Sequence, residues 1–315
     1  MKIKVDFNSN LKIPHKDIAN FYKENWINNS ILRDKKFYNW EYKTYGDNKF
    51  LDRIIIAINS KNKNILGIYS FQTQKLFFKN ISFKISCGST FNVGKNSRGF
   101  GVAKKILRFA KKKSDIIYAI NITKPVVPLY KKQNFRIIKA FPRYLKKVNN
   151  IKQKIKKSYF IKKLTIKDKK LINSVKEKKL KNSIFIERDS NYFNWRYFKH
   201  PYLKYEVYYI SSVKKLNDGI IVVLRTEKKY NFLRIIDFFG SEKSYQNGLD
   251  FIYSYTKKNN INNIDFFSLN KKLNFFFKKK KWNLISSNQK IKLPYLYQPL
   301  LYRGVNSPPF AIWMN

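Results

Sequence analysis

Apolar positions along the chain follow two different periods. Over Asp17–Trp26 and Ile31–Tyr42 they recur at helical spacing. From residue 53 they gather into short runs, Arg53–Asn59, Ile65–Gln74 and Ile81–Val93, which predict strands. Asn62-Lys63-Asn64 and Lys79-Asn80 separate the runs with turn residues. A glycine-bearing loop, Gly94–Gly101, leads into a helix predicted over Val102–Lys113, where Val102, Ala103, Ile106, Leu107 and Ala110 share one face. A buried strand over Ile116–Ile122, a helix over Val126–Gln133 and a strand over Phe135–Phe141 complete this half. Residues 146–163 are rich in lysine and read as a linker.

The pattern then repeats. Helices are predicted over Lys169–Lys178 and Tyr192–Phe198, and strands over Tyr205–Ser211, Gly219–Thr226 and Leu233–Phe239. Helix Gln246–Lys257, strand Ile264–Leu269, helix Lys271–Lys280 and strand Asn283–Ser287 follow. Two anchors relate the halves. Phe37-Tyr38-Asn39-Trp40-Glu41-Tyr42 resembles Tyr192-Phe193-Asn194-Trp195-Arg196-Tyr197, 155 residues on. The segment starting at Tyr130 matches the one starting at Phe277, 147 residues on. Their order predicts a duplication, and the slip of eight residues places a deletion between the anchors. The tail from Leu293 holds Pro294, Pro299, Pro308 and Pro309 and is expected to be extended.

Composition narrows the function classes. The 315 residues suit two domains, and 43% apolar with 17% aromatic residues suits a folded core. One cysteine, Cys87, forms no intrachain disulfide, and two distant histidines, His15 and His200, offer no zinc cluster, so no metal is expected. The N-terminus lacks the apolar stretch of a signal peptide, and no apolar run reaches a membrane-spanning length, so a cytoplasmic protein is expected. The net charge is +48, from 67 Lys+Arg against 19 Asp+Glu. A/T-rich codons would enrich Lys, Asn, Ile, Phe and Tyr together. They do not account for the scarcity of acids, so an anionic partner stays open.

The stretch Asn96-Ser97-Arg98-Gly99-Phe100-Gly101-Val102-Ala103-Lys104-Lys105 follows a strand and opens a helix. The first N–H groups of a helix are unpaired and carry partial positive charge, and glycines let an anion approach the backbone. This is a phosphate cradle. It lacks the Gly-Lys-Ser/Thr end of a P-loop and the three glycines of a dinucleotide fingerprint.

Arg98, Gly101 and Ala103 match the Arg/Gln-x-x-Gly-x-Gly/Ala signature of the GNAT acyltransferase superfamily, and Gly99 fits its Arg-Gly-x-Gly form. Leu129-Tyr130-Lys131-Lys132-Gln133-Asn134-Phe135 resembles the family's second signature, Leu-Tyr-x-x-x-Gly-Phe. Asn134 stands where glycine is usual, and asparagine also tolerates a left-handed helix C-cap. The resemblance implies an α/β (α+β) fold of two tandem GNAT-like domains, each a mixed, mostly antiparallel sheet flanked by helices. Residues 1–147 would be the domain with the intact loop, 148–292 a degenerate copy and 293–315 an extended tail.

The resemblance further implies acetyl-CoA as co-substrate, bound by Arg98, Gly99, Phe100, Gly101, Val102, Ala103 and Lys104, with Lys105 near its phosphates. Tyr130 would protonate the departing thiolate. The family's base is harder to place, because strand Ile81–Val93 contains no Asp or Glu. Glu41, Asp47 and Asp52 are the nearest acids, Ser89, Thr90 and Asn92 could hold a relay water, and Cys87 reads as a small buried residue. In the second half Glu242 stands in the loop where an anion would bind, and Phe277 takes the place of Tyr130. The expected activity is N-acetylation of a small or sugar-linked amine. The Asn-Trp-x-Tyr segments resemble those of acyltransferases encoded with surface-polysaccharide genes. Two alternatives stand beside it: an aminoacyl-tRNA-dependent transferase on the same fold, with tRNA as the anionic partner, and a non-catalytic GNAT-like binding protein.

Overall fold

The structure is a computed structural model that describes residues 2–26, 31–43, 50–78, 81–120, 122, 124–138, 142–150, 159–175, 184–212, 215–285 and 310–314. The chain divides into two compact units. Unit 1 comprises Met1–Lys139, Ile184–Glu187 and Pro308–Asn315, and unit 2 comprises Ala140–Ser183 and Arg188–Ser307.

Unit 1 begins with β1 (Ile3–Phe7), α1 (Asn8–Leu11), α2 (His15–Asn25) and α3 (Lys35–Lys43). It continues through β2 (Ile54–Asn59), β3 (Ile65–Phe78), β4 (Ile81–Val93), α4 (Val102–Lys111), β5 (Ile116–Ile120), α5 (Val127–Lys132) and β6 (Arg136–Ile138). In unit 2 the order is β7 (Arg143–Lys147), β8 (Tyr159–Lys163) and α6 (Lys169–Ser174). After β9 (Ile184–Ile186), which belongs to unit 1, come α7 (Ser190–Phe193) and a π-helical turn, Asn194–Phe198. Then follow β10 (Glu206–Ser212), β11 (Lys215–Glu227), β12 (Phe232–Gly240), α8 (Tyr245–Lys258), β13 (Asn263–Phe267), α9 (Lys271–Lys279) and β14 (Asn283–Ile285). The last strand, β15 (Phe310–Met314), returns to unit 1.

The two sheets have the same plan. Unit 1 runs β1-β2-β3-β4-β5-β15-β6, with β9 added on β3, and unit 2 runs β8-β10-β11-β12-β13-β7-β14. Among these strands only β4–β5 and β12–β13 pair in parallel. A parallel pair needs a crossover, and α4 and α8 supply it. The sheet of unit 1 is covered on both sides, so its central strands read as apolar runs. Along β2, Ile54, Ile56 and Ile58 pack with Ile18, Tyr22 and Tyr42, while Ile55 and Ala57 pack with Val102, Ile106 and Leu107.

Each sheet is completed by a strand from the other half of the sequence. β15 inserts antiparallel between β5 and β6 in unit 1. β7 inserts antiparallel between β13 and β14 in unit 2. Arg143 of β7 forms a buried ion pair with Asp265 of β13, donating from Nε over 2.9 Å. An arginine fork suits this site better than a lysine ammonium would.

Several expectations shift accordingly. The lysine-rich stretch 146–163 contains part of β7 and all of β8, an exposed edge strand whose lysines protect it from further pairing. Residues 310–314 of the extended tail lie inside a sheet, whereas 286–309 fall outside the described residues. β1 had no sequence signal, and β3 runs on to Phe78. Asn134 does adopt a left-handed φ of 58°, and Lys281, its counterpart, does the same.

Two outcomes test this architecture. Removing residues 310–315 strips β5 and β6 of a shared partner, and unit 1 should unfold about 10 °C lower by calorimetry, the equivalent of about 3 kcal/mol. Lys281→Gly should raise the stability of unit 2 by roughly 1 kcal/mol in denaturant unfolding, because a Cβ is penalised at positive φ.

Candidate active site

The site of unit 1 is built on β4. This strand pairs with β3 along its whole length but with β5 only over Ile85–Gly88, against Ile116–Ala119. Beyond Gly88 the side of β4 toward β5 has no strand partner among the described residues, so the two strands part in a wedge. A bulge sits at the same place. Gly88 pairs with Phe71 and Thr90 with Ser70, which leaves Ser89 as the extra residue. Bulges increase twist and leave backbone groups unpaired.

The chain leaves β4 at Gly94 and turns through Lys95–Ser97 into the loop before α4. Gly99 and Gly101 have φ of 85° and 75°, and a Cβ added at either would meet no heavy atom within 4 Å. Gly101 is the N-cap of α4 and no side chain caps the helix. The first N–H groups of α4 therefore face open space. Arg98, Gly99, Phe100 and Gly101 are exposed, Val102 is buried under the helix, and Lys104 and Lys105 are exposed on its outer face. Phe100 is 62% exposed. The predicted loop residues are thus brought together at one end of the wedge.

Tyr130, on α5, is buried against Phe135, edge-on at 4.8 Å, and against Phe91 of β4 at 6.4 Å. Burial, and then the nearby Cys87 thiol, push its pKa well above that of an ordinary phenol. Cys87 is partly buried rather than enclosed.

On the opposite face of β4, Ser89 and Thr90 belong to a hydroxyl network whose other members local sequence patterns do not reveal. Tyr42 of α3 donates to Ser70 over 2.7 Å and meets Ser89 at 3.1 Å. Ser70 also meets Ser89, at 3.2 Å, and Thr90. Tyr22 of α2 meets Thr90 at 2.9 Å. Asn92, next on this face, has a buried Nδ2 without a hydrogen-bond partner among the described residues. Ser89 is the exposed end of the network. Of the acids considered from sequence, Glu41 is buried beside Tyr42 and helps to raise its pKa, after burial itself. Asp52 accepts from Ser9, away from the network, and Asp47 lies outside the described residues.

Unit 2 presents a different loop. Gly240 has φ of 136°, and a Cβ there would lie 2.5 Å from the carbonyl oxygen of Gly219, so the loop is packed against β11. Glu242 pairs with Lys272 at 2.7 Å. Phe277 repeats the geometry of Tyr130 without its hydroxyl, edge-on to Trp282 at 4.8 Å. Tyr197, the repeat of Tyr42, donates to Asp237 over 2.9 Å. Among the described residues no three His, Cys, Asp or Glu side chains form a metal-binding group, and no helix is long and apolar enough to cross a membrane.

No known sequence family and no curated protein matches this sequence. Solved structures do match its fold. A probable N-acyltransferase from Enterococcus faecalis superposes with a TM-score of 0.68 at 12% identity, over 100% of this chain and 72% of the other. A GCN5-related N-acetyltransferase from Anabaena variabilis gives 0.65 at 12% identity, over 99% and 73%. The N-myristoyltransferase of Saccharomyces cerevisiae, solved with myristoyl-CoA, gives 0.53 at 11% identity, over 100% and 79%. The chain has the GNAT fold.

The phenols of this site set a limit at high pH. Burial raises the pKa of Tyr22 from 10.0 to about 12, against weaker lowering by its hydrogen bonds to Thr90 and Ser70. A phenol whose folded pKa is raised contributes stability that is complete below the unfolded value and lost as pH rises through the folded one. Stability should therefore fall between pH 10 and about 12. Phenolate absorbance should appear in two steps, exposed tyrosines first and the buried set together with loss of circular dichroism.

Proposed function

We propose that unit 1 is an acyl-CoA-dependent N-acyltransferase that moves an acetyl group to an amine of a small or sugar-linked acceptor. The observation that carries this reading is the uncapped start of α4, with two left-handed glycines in open space, beside the wedge between β4 and β5. Acyl-CoA supplies an acyl group activated as a thioester. The amides of Arg98–Ala103 suit its pyrophosphate, and Arg98, Lys104 and Lys105 supply countercharge.

Backbone N–H groups of β4 past Gly88 can donate to the thioester carbonyl as charge builds on its oxygen. The acceptor nitrogen bonds to the carbonyl carbon and the carbon–sulfur bond breaks. Tyr130 gives its proton to the departing sulfur and regains one from water. Its raised pKa keeps the phenol protonated across the neutral range. The amine's proton leaves to water held by Ser89 and the hydroxyls behind it. That network, with the unpartnered Asn92 Nδ2, suits an acceptor that itself carries hydroxyl groups. We read unit 2 as a degenerate copy that keeps the scaffold, because its loop is closed onto β11 and Phe277 lacks a hydroxyl.

One observation favours aminoacyl-tRNA as a second reading of the donor. No Asp or Glu occurs from Arg53 to Lys113, and Lys104, Arg108 and the C-cap Lys112 form an exposed ridge along α4. Under that reading tRNA binding weakens steeply with salt and acetyl-CoA binding is absent.

Titration calorimetry of acetyl-CoA into the full chain should give a Kd in the micromolar range, about 8 kcal/mol of binding. The Arg98→Glu/Gly101→Glu variant should lose it. Tyr130→Phe should bind within about twofold of the parent and, with an amino-sugar acceptor found by screening, turn over about a hundredfold more slowly. No acetyl-CoA binding by the parent protein would overturn the proposal.

A further inference from the structure

A second phenol meets the wedge from β3. Tyr69 is 1% exposed, and its hydroxyl is buried with no hydrogen-bond partner among the described residues. Its ring packs against Phe71 at 5.8 Å and edge-on to Phe91 at 5.4 Å. The end of the side chain reaches over Gly88. A Cβ built on Gly88 would lie 2.7 Å from the Tyr69 hydroxyl oxygen and 3.1 Å from Cε2. Gly88 is the last residue of β4 paired with β5, and the bulged Ser89 follows it. The unsatisfied hydroxyl thus sits at the apex of the wedge.

Packing does not explain that hydroxyl. A buried O–H without a partner costs about 1–3 kcal/mol, and phenylalanine would place the same ring without that cost. The tyrosines on the other face of the sheet are satisfied, Tyr22 by Thr90 and Tyr42 by Ser70 and Ser89. On the α4 face, by contrast, the Tyr69 hydroxyl is left without a partner among the described residues, with Tyr130 close by. The two phenols are close enough that Tyr130 contributes, after burial, to raising the pKa of Tyr69. Tyr69 therefore stays a proton-bearing donor.

We propose that the Tyr69 hydroxyl donates a hydrogen bond to the thioester carbonyl oxygen of the acyl donor. This rests on the acyl-CoA reading of the site and adds a residue to it. Gly88, without a Cβ, lets the phenol lie close against β4 where its pairing with β5 ends. The contact distinguishes acyl-CoA from free CoA, which has no carbonyl at that position.

The test compares acetyl-CoA and CoA titrated into full-length parent protein and Tyr69→Phe, beside thermal unfolding without ligand. Tyr69→Phe should unfold at the same temperature or higher, since an unsatisfied group is removed. Its affinity for acetyl-CoA should fall about fivefold to tenfold, and its affinity for CoA should stay within about twofold. Gly88→Ala, which presses on the end of the phenol, should show the same selective loss. Equal binding of acetyl-CoA by parent and Tyr69→Phe would overturn the inference and leave the acyl-CoA reading standing. Parallel loss of both ligands, or unfolding at a clearly lower temperature, would make the hydroxyl structural and also overturn it. If the parent binds neither ligand, the acyl-CoA reading falls and this inference falls with it.

Discussion

The short parallel ladder between β4 and β5 governs the rest of unit 1. Parallel strands cannot be joined by a hairpin, so the chain must cross over, and the crossover brings the start of α4 to the end of β4. The ladder covers only Ile85–Gly88. Had it run on to Val93, β5 would have used the backbone groups that now face the wedge. The bulge at Ser89 marks the place where pairing stops, and the two phenols of the α4 face, Tyr69 and Tyr130, lie against this part of β4. The open glycine loop, the wedge and the phenols thus meet where one set of backbone hydrogen bonds is interrupted.

The two units make a comparison within one molecule. Tyr130 and Phe277 end equivalent helices and meet Phe135 and Trp282 at the same centroid distance, 4.8 Å. Asn134 and Lys281 share a φ of 58°. The packing geometry is kept in both units, while the hydroxyl and the open glycine loop are found in unit 1. Unit 2 instead spends its polar residues on internal ion pairs. Arg143 with Asp265 ties in the exchanged strand, and Arg188 with Asp237 meets Tyr197. In a chain so biased toward lysine, these arginines stand where planar, multiple hydrogen bonds are needed.

What the sequence made legible was local. The apolar runs of β2 to β4, the face of α4, the glycine loop and the left-handed cap at Asn134 each depend on neighbouring residues. The exchange of β7 and β15 was not legible, because a strand's period does not name its partner, and Phe310–Met314 pairs with residues nearly two hundred positions away. Of the hydroxyl network, Ser89 and Thr90 stood out in the sequence, whereas Tyr22, Tyr42 and Ser70 join them only through the fold. Tyr69 has the spacing of any core aromatic. Its unsatisfied oxygen is visible only when its surroundings are known.

The strand exchange also bears on how the protein is made. A ribosome releases the chain from its N-terminus, and domains generally fold in that order. Here the first sheet waits, with β5 and β6 unbridged, until residues 310–314 have been synthesised. β7, made early, waits in turn for β13 and β14. During translation the nascent chain therefore carries unpaired strand edges, rich in Ile and flanked by lysines, for most of its length. A dense positive charge opposes the association of such intermediates with one another.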